Sequence, residues 1–518
     1  MAGSLLKSTG VVGTMTFVSR VLGFIRDQLQ ARLFGAGAGM DVFFVAFRIP
    51  NLFRRLFAEG AFTQAFVPVL SEARSTRSEA EVKQLVDVVA GTLAGTVGLL
   101  TAAAVLGAPL IMYLFAPGFA HQSPEKFALG IELLRWTLPY LPLISLTAFI
   151  AGILNAYGKF AQAAFNPTWM NVCLIVAAWV WAPSVEALAI AVFISGIVQL
   201  AFLLPAVHKL GLLPRPRWGW GDPQVRRIIG LMIPIAFGSS VSQLSLLLDT
   251  IIASFLPGDG NVSWLWYADR LMEFPLGTFS VAIATVILPA LSRQHARASP
   301  QEFSATLDWG LRVILVIGLP ATLGLTLLAG PLISTMFQSS RFDVHSVAMT
   351  AWALTAYSAG FLGFSLVKIL VPGFYARQET KIPVRYAFVA FGSGMACSLV
   401  FTGLALWTGF VAPHAAIALA TATGAWINAL LLLARLKRDG IYQPAPGWGR
   451  YAAQLLLANG AMAALLLMGA GTLDSWTGAE LAARVGRLTL LIGSAMATYF
   501  AALWLIGVRM AQFRQSAH

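Results

Sequence analysis

Residues 41–68, DVFFVAFRIPNLFRRLFAEGAFTQAFVP, are apolar enough for a membrane interior, yet they carry Asp41, Arg48, Arg54, Arg55 and Glu59. A charge at the centre of a bilayer helix costs roughly 2.5–3.5 kcal/mol on insertion scales. Five in one segment cannot all face lipid. They must line a wet cavity, pair with one another, or sit at the membrane rim. At about 100° per residue, Asp41, Arg48, Arg55 and Glu59 share one helical stripe and Arg54 lies off it, unless a kink at Pro50 re-aims the residues beyond it. More charges sit in other apolar runs: Arg20, Arg26, Asp27 and Arg32 early in the chain, Asp249 later, then Asp269, Arg270 and Glu273. Asp269 and Glu273 stand four apart and Arg270 and Glu273 three apart, so each pair shares a helix face. Some of these have a plain structural reading. Arg32, Arg48 and Arg55 can snorkel or tie helices together, with Asp41 and Glu59 as counter-charges of Arg48 and Arg55. Arg20, Arg26, Arg54 and Arg270 are an excess of cation, which implies an anionic visitor. The guanidinium fork suits phosphate because it binds two oxygens at once. A phosphate-bearing, partly apolar substrate fits this pattern.

Enzyme chemistry is missing. No GxxxxGK[ST] loop is present to hold ATP, and there is no HExxH, no GxSxG and no cluster of metal ligands. The six His are scattered, and Cys173 and Cys397 lie alone in apolar runs, which makes neither a disulfide framework nor a zinc site. No cofactor is expected. The net charge of +13 comes without a basic, aromatic-interleaved soluble patch, so nucleic acid is not an expected partner.

The elements that must position these charges are membrane helices. The chain of 518 residues is 58% hydrophobic and 11% charged, where a soluble domain carries about 25% charged residues. Apolar runs near 9–34, 42–70, 85–115, 128–154, 163–182, 186–207, 228–256, 262–291, 308–330, 346–372, 384–408, 412–434, 451–470 and 485–508 predict about fourteen spanning helices, since about 20 apolar residues cross a bilayer. The start reads as a retained first helix rather than a signal peptide. Lys and Arg alternate strongly between successive connections, which predicts that both termini are cytoplasmic.

Shifted by 221, residues 8–72 lie on 229–293 without a gap: Ser19 meets Ser240, Gly37 meets Gly258, and VPVLSE (67–72) meets LPALSR (288–293). LNAYGKF with Pro167 and GFYARQE with Pro383 form a second pair. The expectation is two parallel six-helix lobes about an axis along the membrane normal, 1–222 and 223–440, with residues 441–518 adding two helices and a tail. The fold class is therefore an all-α polytopic membrane protein.

The motifs SRVLGFIRD (19–27), FGAG (34–37), DVFFVAFRIPNLFRRLFAEGAFTQAFVPVL (41–70), YADRLMEFPLG (267–277) and PGFYARQETKIPV (372–384) resemble the MurJ (MviN) family across essentially the whole chain. These are lipid II flippases of peptidoglycan synthesis, within the multidrug/oligosaccharidyl-lipid/polysaccharide exporter superfamily. The resemblance implies two lobes forming a V in the bacterial inner membrane, a groove for the polyprenyl tail on the last two helices, and no catalysis. It implies that Arg26, Arg54 and Arg270 meet the pyrophosphate-linked head of lipid II, and that Arg20, Asp41 and Glu273 are also needed. Asp27, Arg48, Arg55, Glu59 and Asp269 would then form a structural charge network. Some family members bind sodium beside an acidic residue on helix 7. Asp249 matches that helix, but YAFVAFGSGMACSLVF on helix 11 offers no second carboxylate, so no metal is expected. Two other readings stay open. A drug/cation antiporter of the superfamily would need a cavity dominated by acids. A scaffold for wall-synthesis enzymes would not need charges in its core. Apart from lipid II and the phospholipid bilayer, wall-synthesis enzymes are the further candidate partners.

Overall fold

The computed structural model describes residues 2–57 and 61–508, with side chains over 13–52, 54, 62–233 and 244–508. Glu59 and the side chain of Arg55 lie outside the described residues. All regular structure among those described is helical. Among the described residues, eleven helices are long and apolar enough to cross a membrane. They coincide with eleven of the apolar runs. The runs 9–34, 42–70 and 228–256 fall instead on Ala2–Phe34, on Ala38–Phe57 with Ala61–Thr76, and on Pro223–Ser254. The first two of these carry the dense charge, and the third contains side chains that are not described.

The chain forms two compact units, Met1–Ser263 and Trp264–His518. The first contains α1 (Ala2–Phe34), α2 (Ala38–Phe57), α3 (Ala61–Thr76), α4 (Glu79–Leu106), α5 (Pro124–Thr137), α6 (Tyr140–Ala156), α7 (Thr168–Trp181), α8 (Val185–His208) and α9 (Pro223–Ser254), with shorter helices between them. Local sequence sets several starts. Ser78 and Glu81 form a capping box at α4, Ser184 caps α8, and Asp222 caps α9 ahead of Pro223. α1 packs on α7, α2 on α5, and α6 on α8, α3 and α4. One core gathers Phe62 and Phe66 of α3 and Phe149 of α6, the last two with ring centroids 5.0 Å apart.

The second unit contains α10 (Asn261–Pro275, whose first turn belongs to the first unit), which passes through a π turn at Leu276–Ser280 into α11 (Val281–Ala296). Then come α12 (Pro300–Leu327), α13 (Val344–Tyr375), α14 (Lys381–Trp407), α15 (Pro413–Arg438), α16 (Trp448–Ala470) and α17 (Leu481–Leu505). In lipid, apolar surface gains little by leaving acyl chains for protein, so small residues that allow close approach carry the packing. Gly360 and Gly363 of α13 face Ala422, Ala425 and Trp426 of α15, where any added Cβ would lie 3.0 Å or less from the neighbouring helix. α16 and α17 pack on each other, and α16 packs on α12.

Candidate functional site: the buried charges

Arg26 sits on α1 and is 8% exposed. Its Nε and Nη2 donate to Asp27 Oδ1 at 2.9 and 2.6 Å, and its Nη1 donates to Asn171 Oδ1 of α7 at 3.0 Å. Asn171 Nδ2 donates in turn to the Ser19 carbonyl at 3.0 Å. A Cβ on Gly23 would come within 3.6 Å of this amide. The SRVLGFIRD motif is thus one helical face closing round Asn171: Ser19 supplies an acceptor, Gly23 the room, and Arg26 the donor. Arg20 is exposed and Arg32 half-buried on the same helix. α1 therefore carries three Arg against one Asp between residues 20 and 32.

On α2, Asp41 is 1% exposed and does not serve Arg48 as a counter-charge. Its carboxylate accepts from the backbone N–H of Gly260 at 2.7 Å, and from the N–H and Oγ of Ser263 at 2.9 and 2.7 Å. It therefore caps the first turn of α10, where unsatisfied N–H groups and the helix dipole both favour an anion. Lys126 Nζ of α5 stands 3.6 Å from Asp41 and 2.5 Å from Asp259. Arg48 reaches α9, donating to the Leu246 carbonyl at 2.7 Å and to the Thr250 hydroxyl. Arg54 is half-buried, with Nε 3.0 Å from Asn51 Oδ1 one turn back. Asp249 is 7% exposed on α9. Among the described residues, no three His, Cys, Asp or Glu come together to hold a metal ion.

In the second unit, α10 brings Arg270 and Glu273 together at 2.6 Å, as their spacing of three predicts, and the Arg270 guanidinium lies 4.6 Å from the Trp266 ring centroid. Asp269 is half-buried beside it.

Sequence reasoning named the charges but missed their neutral partners Asn171, Thr250 and Ser263, and the pairing of buried Lys126 with Asp41. The one local signal was polarity out of place. Asn171 interrupts TWMNVCLIVAAW, and a polar side chain in such a run needs a partner.

A family model described as lipid II flippase MurJ matches residues 30–485. The chain is 45% identical over 516 residues to a probable lipid II flippase MurJ of Vibrio cholerae, covering 98% of this chain and 97% of that one. It is 41% identical over 524 residues to the lipid II flippase MurJ of Burkholderia cenocepacia, covering 99% and 100%. A solved lipid II flippase MurJ in an inward closed conformation shares its fold, with a TM-score of 0.79 and 24% identity, covering 95% of this chain and 99% of that one. The chain is a multi-pass membrane protein that belongs to the MurJ family.

Proposed function

We propose that this protein is a flippase that carries lipid II, an undecaprenyl-pyrophosphate-linked disaccharide peptide, from the inner to the outer leaflet of the bacterial inner membrane for cell wall biogenesis. The observation that carries this reading is the surplus of guanidinium on α1, with Arg26 buried at its centre, in a chain of this family. The charged head needs cationic donors to replace the water it sheds, while its tail stays in lipid. Arg26, Arg54 and Arg270 take the pyrophosphate, helped by Arg20 and Glu273. Asp41 acts by fastening the start of α10 rather than by touching substrate, and Asp27, Arg48 and Asp269 hold the helices that present the guanidinium groups. Lobes 1–222 and 223–440 rock about their pseudo-two-fold, with 441–518 beside them and both termini cytoplasmic. No bond is made or broken, so the protein is a transporter and not an enzyme.

Moving net negative charge outward across a negative-inside membrane is favourable by roughly 2.3 kcal/mol per charge per 100 mV. The membrane potential therefore biases the cycle. A cation antiporter would need acids in place of these Arg residues.

Depletion of the protein is expected to trap lipid II on the cytoplasmic leaflet. Arg54→Ala is expected to fail to restore outer-leaflet lipid II, read by accessibility to an external protease or biotin reagent, while the variant accumulates as folded protein. Full outer-leaflet exposure with Arg54→Ala would overturn the role given to this residue. Normal exposure after depletion would overturn the function itself.

A further inference from the structure

The connection between α8 and α9 is built as a strap across α4. Its sequence, LPRPRWGWG over 213–221, alternates Pro with Arg and Trp with Gly. Pro214 and Pro216 have no N–H and fix their φ, which stiffens the segment. The N–H groups between and after them are spent on α4. Arg215 N donates to Asp87 Oδ1 at 2.6 Å, Arg217 N to the Asp87 carbonyl at 3.0 Å, and Gly219 N to Thr92 Oγ1 at 3.1 Å. Asp87 is 6% exposed and is also paired with Lys83. The α4 surface is cut to receive the strap. A Cβ on Gly91 would overlap the backbone of Arg217, and one on Gly95 would lie 2.6 Å from the Trp218 ring.

With the backbone held inward, the Arg215, Arg217, Trp218 and Trp220 side chains point out. Trp218 is 61% and Trp220 48% exposed, and their rings stack with centroids 6.3 Å apart and planes 16° apart. Arg215 and Arg217 are exposed, with no carboxylate within ion-pair distance among the described residues. The level of this patch on α4 identifies its surroundings. Trp218 rests on Gly95, and one turn further along α4 stand the exposed apolar side chains of Leu99 and Leu100, 69% and 65% exposed. Four residues of helix are about 6 Å. The Trp pair thus stands where the apolar belt ends, the depth at which Trp collects in membrane proteins, and the two Arg stand on its polar side.

We propose that the strap is a seat for the headgroup of an anionic phospholipid. Arg215 and Arg217 take its phosphate, and Trp218 and Trp220 lie at the boundary between its headgroup and acyl chains. A soluble acidic partner would not require two Trp rings at the edge of the apolar belt, and a purely apolar docking site would not require two unneutralised Arg residues beside them.

The test uses the full-length protein in nanodiscs and measures its preference for spin-labelled phosphatidylglycerol over spin-labelled phosphatidylcholine. The wild type is expected to prefer the anionic lipid, and Arg215→Gln with Arg217→Gln to lower that preference by about five-fold or more. The variant Arg215→Lys with Arg217→Lys is expected to keep most of it. Arg226→Gln, an exposed Arg off the strap, is expected to change it little. Unchanged phosphatidylglycerol preference in the double Gln variant overturns the proposal, as does an equal loss with Arg226→Gln, which would reduce the effect to general surface charge. Should the double Gln variant not fold, Trp218→Leu with Trp220→Leu replaces it, and undiminished protection of the bound lipid label from aqueous quencher then overturns the proposal. The readout is lipid binding and not transport, so its failure leaves the flippase reading intact.

Discussion

Each unit of the molecule buries an Asp–Arg pair, and the two pairs are built to opposite ends. In the second unit Asp308 of α12 is 5% exposed. Its Oδ1 accepts from the Tyr442 hydroxyl at 2.8 Å, Trp448 Nε1 at 2.7 Å and Ala445 N at 3.2 Å, and its Oδ2 accepts from Arg312 Nε at 2.7 Å. Arg312 lies 5.0 and 5.2 Å from the Trp448 and Tyr451 ring centroids. Ser304 pairs twice with the backbone of Gln443, accepting from its N–H at 2.8 Å and donating to its carbonyl at 3.0 Å. One charge of each sign is neutralised in place, and the carboxylate spends its acceptor capacity on one helix, one loop and the start of the next helix. The knot fastens the entry to α16 and α17 onto α12. In the first unit, Asp27 Oδ1 takes two bonds from Arg26 next to it in sequence, and Arg26 Nη1 crosses to the side-chain amide of Asn171 on α7. By sequence, α1 carries three Arg against one Asp between residues 20 and 32. A closed, neutral knot serves stability. A helix richer in Arg than in acid is what the proposed function calls on to meet an anionic headgroup.

That contrast can be broken at either end. The largest expected effect is on transport. Arg26→Lys keeps a cation beside Asp27 but loses the fork that joins Asp27 to Asn171 and that the proposed function assigns to the pyrophosphate. It should reduce outer-leaflet lipid II to the level of the depleted strain, while thermal unfolding of the purified protein moves little. Transport near wild type with Lys at this position would mean that only charge matters there. Next comes Asp308→Ala, which strands the buried donors of Tyr442 and Trp448 and the Arg312 charge. The expected loss is on the order of 3–5 kcal/mol of stability, read in denaturant or thermal unfolding. Smaller again, Tyr442→Phe removes one hydrogen bond to a charged group and should cost about 1.5–3 kcal/mol. Should Asp308→Ala leave stability unchanged but stop transport, the two regions would not divide as described.

Legibility in the sequence followed the physics of the solvent. A bilayer demands long apolar runs, so eleven spanning helices could be placed by counting alone. Arg270 and Glu273 could be paired because three-residue spacing is local information. Asp41 could be named, but not its role, because its partners Gly260 and Ser263 lie more than 200 positions away and two of the three bonds come from backbone N–H groups. Any residue but Pro supplies those. Asp308 went unnoticed for a related reason. It stands at the edge of an apolar run, and the donors that explain it, Tyr442 and Trp448, are aromatic residues that read as membrane anchors until their polar atoms are seen to converge. The strap was visible only as a basic connection. Nothing in a single sequence says that its alternate N–H groups meet Asp87.

The smallest expected effect completes the comparison, because it takes the same chemistry without burial. Arg227 meets Glu72 through its two terminal guanidinium nitrogens, Nη1 and Nη2, at 3.1 and 2.8 Å, with 48% and 53% of the two side chains exposed. The geometry is bidentate, better than that of Arg26 with Asp27, and both residues lie beyond the apolar runs. The hydrogen bond and charge of Arg227 hold the Glu72 carboxyl below its ordinary value of 4.5. A carboxyl with a lowered folded-state pKa contributes stability above its unfolded pKa and loses it as pH falls through the folded one. Glu72→Gln should therefore flatten only the part of the pH–stability profile that lies at and below the ordinary Glu range. The difference from wild type should shrink further at about 1 M salt, where screening acts within about 3 Å. Thermal unfolding across that pH range, at low and high salt, reads this directly. A loss as large as that of Asp308→Ala would mean that bidentate geometry, and not burial with saturated acceptors, sets the strength of these pairs. The expected near-absence of effect would leave burial as the quantity that separates a pair that holds the fold from one that only decorates it.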